Sequence, residues 1–435
     1  MGRILFPTLF LLFLTGGSTP SAFAEDWPHW RGANRDAITS ERSGWKGESW
    51  IADIPLWQTN VGEGASSPIV SEGHAYTFGW SKENDFVRCL DAQTGELVWE
   101  QSYPSPSYGR RAVGDQKMYG GATATPELDP KSGHLFTLSC DGDLRAWDTR
   151  NAGKLLWSLN LYDRYDIPQR TQITKRKNTL RDYGYTTSPF AFGDWVIVEA
   201  GDPKQGNLLA FAQATGELAW ASENRDPAGH SGGLAELTLE GIPCVAVATS
   251  FGLHVARLDG ANAGKTVAFF EWKTDFSNTV AGIAVEGSDV LISSRYNQMA
   301  MARVHLDLKN GASEVWRNRY PTGVCTPVIH DGKIYFANKG VFCMDFETGD
   351  LDWAGGSIGD AGSCLVTGDD RIVAWGNGGD LSLFETAKRS PDKCLCLFEQ
   401  SGVARDVAWP HVVLADGRLL LKTLNGDLSC YPVSP

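Results

Sequence analysis

The chain has 435 residues, of which 42% are hydrophobic, so it is long enough to bury the large core of a globular protein. It carries 52 acidic and 39 basic side chains, and the net charge of -13 argues against nucleic acid as a partner, because phosphate binding needs a net positive surface. Sixteen Trp and 48 Gly indicate many buried indoles and many tight turns.

The N-terminus has the pattern of a secretory signal peptide. Arg3 precedes an apolar run from Ile4 to Leu14, and small residues follow as far as Ala24. The run is shorter than the about 20 apolar residues that a membrane-spanning helix needs. We therefore predict that residues 1–24 are a signal peptide and that the mature protein is periplasmic or secreted. An uncleaved N-terminal anchor is the alternative.

One short motif recurs along the rest of the chain. It reads LDAQTGELVWE at 90–100, AQATGELAW at 212–220 and DFETGDLDW at 345–353, and looser copies end at Trp157, Trp272, Trp316 and Phe398. A short loop that ends in a Gly with positive φ matches the twist of a hairpin, so each Thr-Gly predicts a turn between two strands. Further Gly turns divide each interval, which predicts four antiparallel strands per interval.

These units predict an all-β fold, an eight-bladed β-propeller of four-stranded antiparallel blades. A small sheet cannot bury both faces alone, and radial stacking protects nearly every strand edge. The eighth unit stops before its Thr-Gly turn at the C-terminus, and we expect IPLWQTN from residue 54 to supply its outer strand and close the ring. The expected interblade packing residues are Trp57, Trp99, Trp157, Trp220, Trp272, Trp316 and Trp353.

The Thr-Gly-x-x-x-Trp motif resembles that of the PQQ-repeat (pyrroloquinoline quinone-like) eight-bladed propellers, over residues 55–435 and closest in type to BamB-like propellers. That family includes PQQ-dependent alcohol and sugar dehydrogenases and cofactor-free scaffolds. The leader DWPHWRGANRD at 26–36 resembles the segment that enters such propellers. We interpret residues 25–54 as an N-terminal strap packed across the ring.

The resemblance to the dehydrogenases implies an adjacent Cys-Cys pair, a calcium site and an Asp base. No two cysteines are adjacent in this sequence, and Cys394 and Cys396 fall in a predicted outer strand. We interpret the recurrent turn residues Asp141, Asp143, Asp380 and Asp427 as hydrogen-bonding their own backbone rather than calcium. We therefore expect no catalytic residue, no metal and no cofactor; PQQ with calcium is the alternative, and a carboxylate pair for glycoside hydrolysis is a third.

The cysteines leave disulfide pairing open. There are nine, so at least one is unpaired, and most lie in apolar strand-like runs where a free thiol packs as a small hydrophobic group.

Two long crossings between blades, 101–121 and 158–186, hold seven of the twelve tyrosines and a net basic stretch. Tyr and Arg are enriched at binding surfaces. The predicted ligand or partner face comprises Tyr108, Arg110, Arg111, Tyr162, Arg164, Arg181, Tyr183 and Tyr185. One alternative is a solvated loop with its tyrosines packed on the ring. Another places the site at the channel mouth, at the strand starts Ser67-Pro68, Thr125-Pro126, Ser188-Pro189 and Thr326-Pro327.

Together these features predict an exported PQQ-like propeller that acts as a binding or scaffold protein in the cell envelope. We expect a monomer that binds a protein partner or a small envelope ligand. The alternative function is that of a PQQ-dependent quinoprotein dehydrogenase, an oxidoreductase.

Overall fold

The described residues of the computed structural model are 25–109, 114–115, 118–165, 167, 181–274, 279–359, 362–376 and 378–433. They form an eight-bladed β-propeller of four-stranded antiparallel sheets, which confirms the predicted fold class. The predicted signal peptide lies outside these residues. Within them, no helix has the length and apolar character needed to cross a membrane.

The blades are numbered in chain order, and strands a to d run from the channel outward. Blade 1 consists of Ile69–Ser71, His74–Ser81, Asn84–Asp91 and Leu97–Pro104. Blade 2 consists of Glu127–Asp129, His134–Leu138, Asp143–Asp148 and Lys154–Asn160. Blade 3 consists of Phe190–Phe192, Trp195–Asp202, Gly206–Ala212 and Leu218–Ala221. Blade 4 consists of Ala235–Leu239, Ile242–Ala248, Gly252–Arg257 and Thr266–Glu271.

The second half of the ring repeats this order. Blade 5 consists of Ala284–Glu286, Asp289–Ser294, Ala300–Asp307 and Gly311–Asn318. Blade 6 consists of Val328–His330, Lys333–Ala337, Lys339–Asp345 and Leu351–Gly359. Blade 7 consists of Gly362–Val366, Arg371–Gly376, Asp380–Glu385 and Cys396–Gln400. Blade 8 consists of Val413–Ala415, Arg418–Lys422, Asp427–Pro432 and, from the N-terminus, Trp57–Asn60.

The elements outside the blades are short. Gly114–Asp115 pairs with Arg181–Asp182 in a two-stranded sheet formed by the two long crossings. One α-helix spans Leu161–Arg164, and 3₁₀ turns span Thr149–Asn151 and Gly260–Asn262.

The turns follow from their sequence. Between strands a and b of blade 1, Glu72 and Gly73 have φ of 50° and 75°, the paired positive values of a type I′ hairpin turn. Between strands c and d, Asp91 Oδ1 accepts hydrogen bonds from the N–H groups of Gln93 and Thr94 at 2.9 and 2.8 Å. Gly95, the Gly of the Thr-Gly motif, follows with φ of 73°. The motif is therefore an Asx turn closed by a left-handed glycine.

The strand register explains why Trp follows Thr-Gly. Trp99, Trp220 and Trp353 pair with Cys89, Ala210 and Cys343, each beside the bulge that shifts the outer strand. Indoles at this position pack on the Thr-Gly turn of the next blade: a Cβ on Gly95 would lie 2.6 Å from the indole of Trp57. Each Thr-Gly turn thus leaves room for the Trp of the preceding blade.

Trp272 is the exception: the sequence predicts it at the Trp position of the repeat, and the structure places another residue there. In blade 4 the bulge falls after the Val255–Ala268 pair, so Ala268 occupies the Trp position. Trp272 follows the outer strand and is fully buried, with the Arg317 guanidinium of the next blade 4.7 Å above its ring. It packs between blades from a different place on the sheet.

Ring closure by the N-terminus is confirmed. Trp57 pairs with Cys430, and Asn60 pairs with Asp427, antiparallel to the last strand of the chain. The hydrophobic core lies between neighbouring blades; in one such layer Phe78 of blade 1 meets Leu135 and Trp147 of blade 2. The inner strands of neighbouring blades contact one another around the channel.

Candidate functional site

Strand order gives the ring two different faces. The a–b and c–d turns lie on one, which we call the turn face, and the b–c turns and the crossings between blades lie on the other, the loop face. The strap, residues 25–54, crosses the turn face. Its Trp27 N–H donates to Val70 O of blade 1 at 2.7 Å, and its Thr39 N–H donates to Val366 O of blade 7 at 3.0 Å.

Charged groups hold the strap in place. Glu127 of blade 2 is 1% exposed, and it accepts from the Arg35 guanidinium and from Ala191 N–H at 2.9 Å, while His29 Nδ1 lies 3.1 Å away. Burial alone would raise the pKa of Glu127, but the charges of Arg35 and His29 outweigh it and hold that pKa below its usual value. A buried, paired carboxylate of blade 2 therefore fixes the strap on the turn face.

At the other end of the inner strands, hydrogen bonds join the blades in a ring. At seven of the eight junctions between neighbouring blades, a Ser or Thr hydroxyl at or near the start of strand a bonds a main-chain group. In ring order the pairs are His411 N with Ser67 Oγ, Ser67 N with Thr125 Oγ1, Thr125 N with Ser188 Oγ, Ser188 Oγ with Gly232 O, His230 N with Thr279 Oγ1, Gly282 N with Thr326 Oγ1, and Val412 N with Ser363 Oγ.

A cavity of about 130 Å³ lies at this level, which we call the channel mouth. Trp30 of the strap is among its lining residues, as are residues of the loop-face crossings. The rings of Tyr119 and Trp409 stack 4.4 Å apart at its edge. Its aromatic lining residues are Trp30, Tyr119, Tyr183, His230, Tyr296, Trp409 and His411, and its hydroxyl-bearing ones are Ser67, Thr123, Thr125, Tyr119, Tyr183, Thr186, Ser231, Tyr296 and Thr326.

His411 is the most informative residue of the channel mouth. It is 7% exposed, its ring meets Trp30 edge-on at 6.0 Å, and neither ring nitrogen has a hydrogen-bond partner in the described structure. Burial, with a contribution from the Arg31 charge, lowers the pKa of His411 to about 3, so the ring is neutral and presents one donor and one acceptor. The buried Nε1 of Trp409 is likewise without a partner there.

A family model described as "Outer membrane protein assembly factor BamB" matches residues 52–161 and 87–355. The chain belongs to this PQQ-repeat propeller family. No curated protein matches the chain in sequence.

Among solved structures, this PQQ-repeat propeller is similar to BamB from Moraxella catarrhalis, with 10% identity, a TM-score of 0.58, and coverage of 87% of this chain and 99% of that one. It is also similar to the quinohemoprotein alcohol dehydrogenase of Comamonas testosteroni, with 14% identity, a TM-score of 0.60, and coverage of 94% and 80%. The computationally designed Ika8 protein matches with 14% identity, a TM-score of 0.53, and coverage of 85% and 100%. At these identities the likeness concerns the fold.

The channel mouth of this PQQ-repeat propeller does not fit PQQ with calcium. Calcium takes six to eight oxygen ligands with carboxylates among them, and the described lining of the cavity contains no Asp, Glu, Lys or Arg. One group of metal-ligand type, His330, Asp331 and Asp370, lies elsewhere. Lys388 Nζ lies 3.1 and 3.2 Å from its two carboxylates, so a side-chain cation already offsets one of their two negative charges.

The predicted face on the long crossings lies partly outside the described residues. Tyr183 lines the channel mouth, Tyr108 is half-buried, and Arg164 is exposed. Arg110, Arg111 and the side chain of Arg181 lie outside the described residues. The prediction is corrected for Tyr162 and Tyr185: they are 7% and 1% exposed, their rings pack 5.2 Å apart, and Tyr185 donates to Ala200 O at 3.1 Å. These two stabilise the ring instead of facing a ligand.

Sequence reasoning missed Trp30, Tyr119, Tyr296, Trp409 and His411 as site residues. Its alternative location, the Ser-Pro and Thr-Pro strand starts, does include Ser67, Thr125 and Thr326 of the cavity lining. The same signal extends to Trp409-Pro410 before blade 8, where an aromatic residue replaces the hydroxyl. An aromatic residue before a strand-start Pro could have indicated the site.

Proposed function

We propose that this PQQ-repeat propeller is an exported binding protein of the cell envelope, and that its channel mouth holds an uncharged, ring-bearing ligand group. The observation that carries the proposal is His411, a neutral imidazole whose two nitrogens are buried against the cavity without partners. An unpartnered buried polar group costs about 1–3 kcal/mol, and a ligand that bonds it recovers that cost.

The surroundings of His411 narrow the class of ligand. The strap crosses the turn face, so we expect a ligand to reach the cavity from the loop face. Trp30, Tyr119 and Trp409 offer flat apolar surfaces, while hydroxyl groups and the free indole N–H of Trp409 offer hydrogen bonds. A neutral saccharide ring, with apolar faces and hydroxyl edges, matches both features. The absence of charged side chains from the described lining disfavours a multiply charged ligand.

A PQQ-dependent quinoprotein dehydrogenase is the alternative function. A quinoprotein would need carboxylates for calcium beside the quinone, and the described part of the cavity wall supplies no Asp or Glu. Similarity to both BamB and a dehydrogenase concerns the fold and leaves the choice to the site.

Fluorescence titration of residues 25–435 tests the proposal, because two lining residues are Trp. We expect neutral saccharides to change the emission saturably. Trp409→Ala should raise the Kd about fivefold, in line with about 1 kcal/mol for an aromatic contact. Leu97→Ala is the matched control, since Leu97 is 55% exposed on the outer strand of blade 1.

A second arm adds PQQ and calcium and measures alcohol-dependent dye reduction. Turnover in that arm would reject the binding-protein proposal and establish the dehydrogenase. Saccharide binding that is equal in Trp409→Ala and the wild type would place the ligand away from the channel mouth.

A further inference from the structure

The junction between blades 6 and 7 differs from the other seven. There the ring of hydroxyl hydrogen bonds is interrupted, and two thiols occupy the same level: Cys325 directly precedes Thr326, and Cys364 directly follows Ser363. Both side chains are 0% exposed, and their Sγ atoms are 4.0 Å apart. Two sulfurs from neighbouring blades therefore touch where the other junctions use a hydrogen bond.

This contact sets the pair apart from the other cysteines. The hydrogen-bond contacts of the other cysteine sulfurs in the described chain run to oxygen atoms: Cys140 to Pro106 O and Ser107 O, Cys244 to Ile242 O, Cys343 to an Asp352 carboxylate oxygen, and Cys396 to Phe398 O. Cys325 and Cys364 also contact main-chain groups, Ala337 N–H and Tyr335 O. Among the nine cysteines, only Cys325 and Cys364 approach each other in these contacts.

We propose that Cys325 and Cys364 are an oxidation site that forms a disulfide between blades 6 and 7 and so covalently completes the junction ring. The inference rests on the proposed export, because disulfides persist in oxidising compartments. An S–S bond is about 2.05 Å long, so the sulfurs must approach by about 2 Å, a movement available to a short side chain that turns about its Cα–Cβ bond.

The surroundings favour thiolate chemistry at Cys325. The hydrogen bond with Cys364 lowers the pKa of Cys325 and raises that of Cys364, and the Arg31 guanidinium of the strap adds to the lowering at Cys325. Arg31 is 1% exposed, and it donates hydrogen bonds to two carbonyls, Asp36 O at 2.9 Å and Pro327 O at 2.6 Å. It is thus a buried cation beside the pair, and thiolates beside cations attack disulfides readily.

The reaction is a thiol–disulfide exchange with a small disulfide or a disulfide-exchange protein of the compartment. The Cys325 thiolate attacks one sulfur of that disulfide, forms a mixed disulfide and releases a thiolate that takes up the proton Cys325 lost. The Cys364 sulfur then attacks Cys325 Sγ in the mixed disulfide and forms the Cys325–Cys364 bond. The other half of the oxidant leaves as a thiol that takes up the Cys364 proton. The two cysteines lose two electrons and two protons, and the oxidant gains both. Since both sulfurs are buried in the folded ring, we place the step during folding.

The test is a refolding experiment on residues 25–435 in a buffer of oxidised and reduced glutathione, followed by alkylation in denaturant without reduction and peptide mass analysis. We expect one linked peptide, 325 with 364, and seven of the nine thiols alkylated. Cys343→Ala should give the same linked peptide, and Cys364→Ala should give none. Nine alkylated thiols in the refolded wild type would overturn the proposal.

A second measurement tests export separately from the ability of the two cysteines to form a disulfide. The same mapping is made on protein secreted through its own N-terminus, where we again expect the linked peptide. Reduced cysteines in secreted protein, together with a linked peptide after refolding, would count against an oxidising location and leave the pair's chemistry intact. As a functional readout, adding reductant should lower the thermal midpoint of the oxidised wild type and leave that of Cys364→Ala unchanged.

Discussion

Two buried carboxyl groups at opposite faces of the ring have opposite surroundings. Glu127, under the strap at the turn face, has a bonded arginine, a nearby histidine and a main-chain N–H. Asp85, beside the b–c turn of blade 1 at the loop face, is 0% exposed; its carboxyl oxygens make no hydrogen bond of good geometry in the described structure, and the Ser105 and Tyr103 hydroxyls nearby offset the effect of burial on its pKa only in part. Burial, with the charges of Asp143 and Asp141 adding to it, raises the pKa of Asp85 to about 7.

The two carboxyl groups show that buried polar groups are bonded differently at the two faces of the ring. At the turn face, charge is paired and buried, which fixes the strap in one place. At the loop face, Asp85, His411 and Trp409 keep polar atoms without partners in the described residues. Such groups cost stability in the free protein, and they are what a ligand or partner could bond. Glu127 is thus paired at the turn face, while Asp85, His411 and Trp409 hold polar atoms without partners at the loop face of the described structure.

The largest expected effect is at the turn face. Arg35→Ala leaves Glu127 charged and buried beside only His29, and breaking a buried pair in this way costs about 3–5 kcal/mol of unfolding free energy. Urea denaturation at pH 7 measures the loss. Adding Glu127→Gln to Arg35→Ala removes the unpaired charge and should restore part of the stability. A loss below about 1 kcal/mol would mean that the strap does not depend on this pair.

The pH dependence of stability should have opposite signs at the two carboxyls. The folded pKa of Asp85 is raised from 3.8 to about 7, so the folded state keeps a proton that the unfolded state releases. This group therefore removes stability as the pH rises from about 4 to about 7, by about 4 kcal/mol at 1.36 kcal/mol per pKa unit. Glu127, with its pKa lowered from 4.5, contributes stability above that value and loses it as the pH falls.

Asp85→Asn tests this sign. Between pH 5 and 8 the variant should gain stability relative to the wild type, because the unfolded wild type releases the Asp85 proton and the neutral amide has none to release. Urea unfolding at each pH measures the difference. Parallel pH profiles for the two proteins would show that Asp85 is solvated in the folded state, contrary to its burial.

A smaller effect on stability is expected at the channel mouth. His411→Ala removes a ring whose nitrogens bond nothing in the described structure, so unfolding free energy should change by less than about 1 kcal/mol, while the Kd for a bound saccharide should rise about tenfold. Paired unfolding and titration experiments separate the two quantities. A large loss of stability with unchanged binding would make His411 a packing residue.

The smallest effect is expected on the exposed part of the loop face. Arg164 is exposed at the end of the short helix Leu161–Arg164, so Arg164→Ala should change unfolding free energy by about 0.5 kcal/mol or less. If a protein partner binds these loops, the same variant should weaken that binding without unfolding the ring. Unfolding of the variant would show that Arg164 holds blades together.

The fold could be predicted because each blade repeats its turn chemistry in the sequence. Asp91 and Asp345 each accept hydrogen bonds from the N–H groups two and three residues later, and Gly95 and Gly349 follow with positive φ, so one pattern identifies several turns. Trp272 was misplaced because the blade 4 copy is degenerate, and a single bulge decides which residue of a strand packs on the next blade. That register depends on strand pairing, which a short sequence window does not contain.

The site was harder to predict because it has no period. Trp30 of the strap and Tyr119 and His411 of two crossings come from three segments far apart in the chain. They meet only when the ring closes. Tyr162 and Tyr185 look like surface residues in a loop of mixed composition, and only the fold shows that they pack against each other. The Ser-Pro and Thr-Pro strand starts did indicate the right level of the channel, because each blade must begin there.

The closing strand Trp57–Asn60 has a consequence for how the protein is made. Its partner is the last strand of the chain, and the strap before it binds Val366 and, through Ser43 N–H at 2.7 Å, Asp369 of blade 7. The closing strand therefore lacks its pairing partner, and the strap lacks its contacts with blade 7, until a ribosome has made nearly all of the chain. A prematurely terminated chain keeps two open strand edges, so truncated products should be recognised by proteases as incomplete.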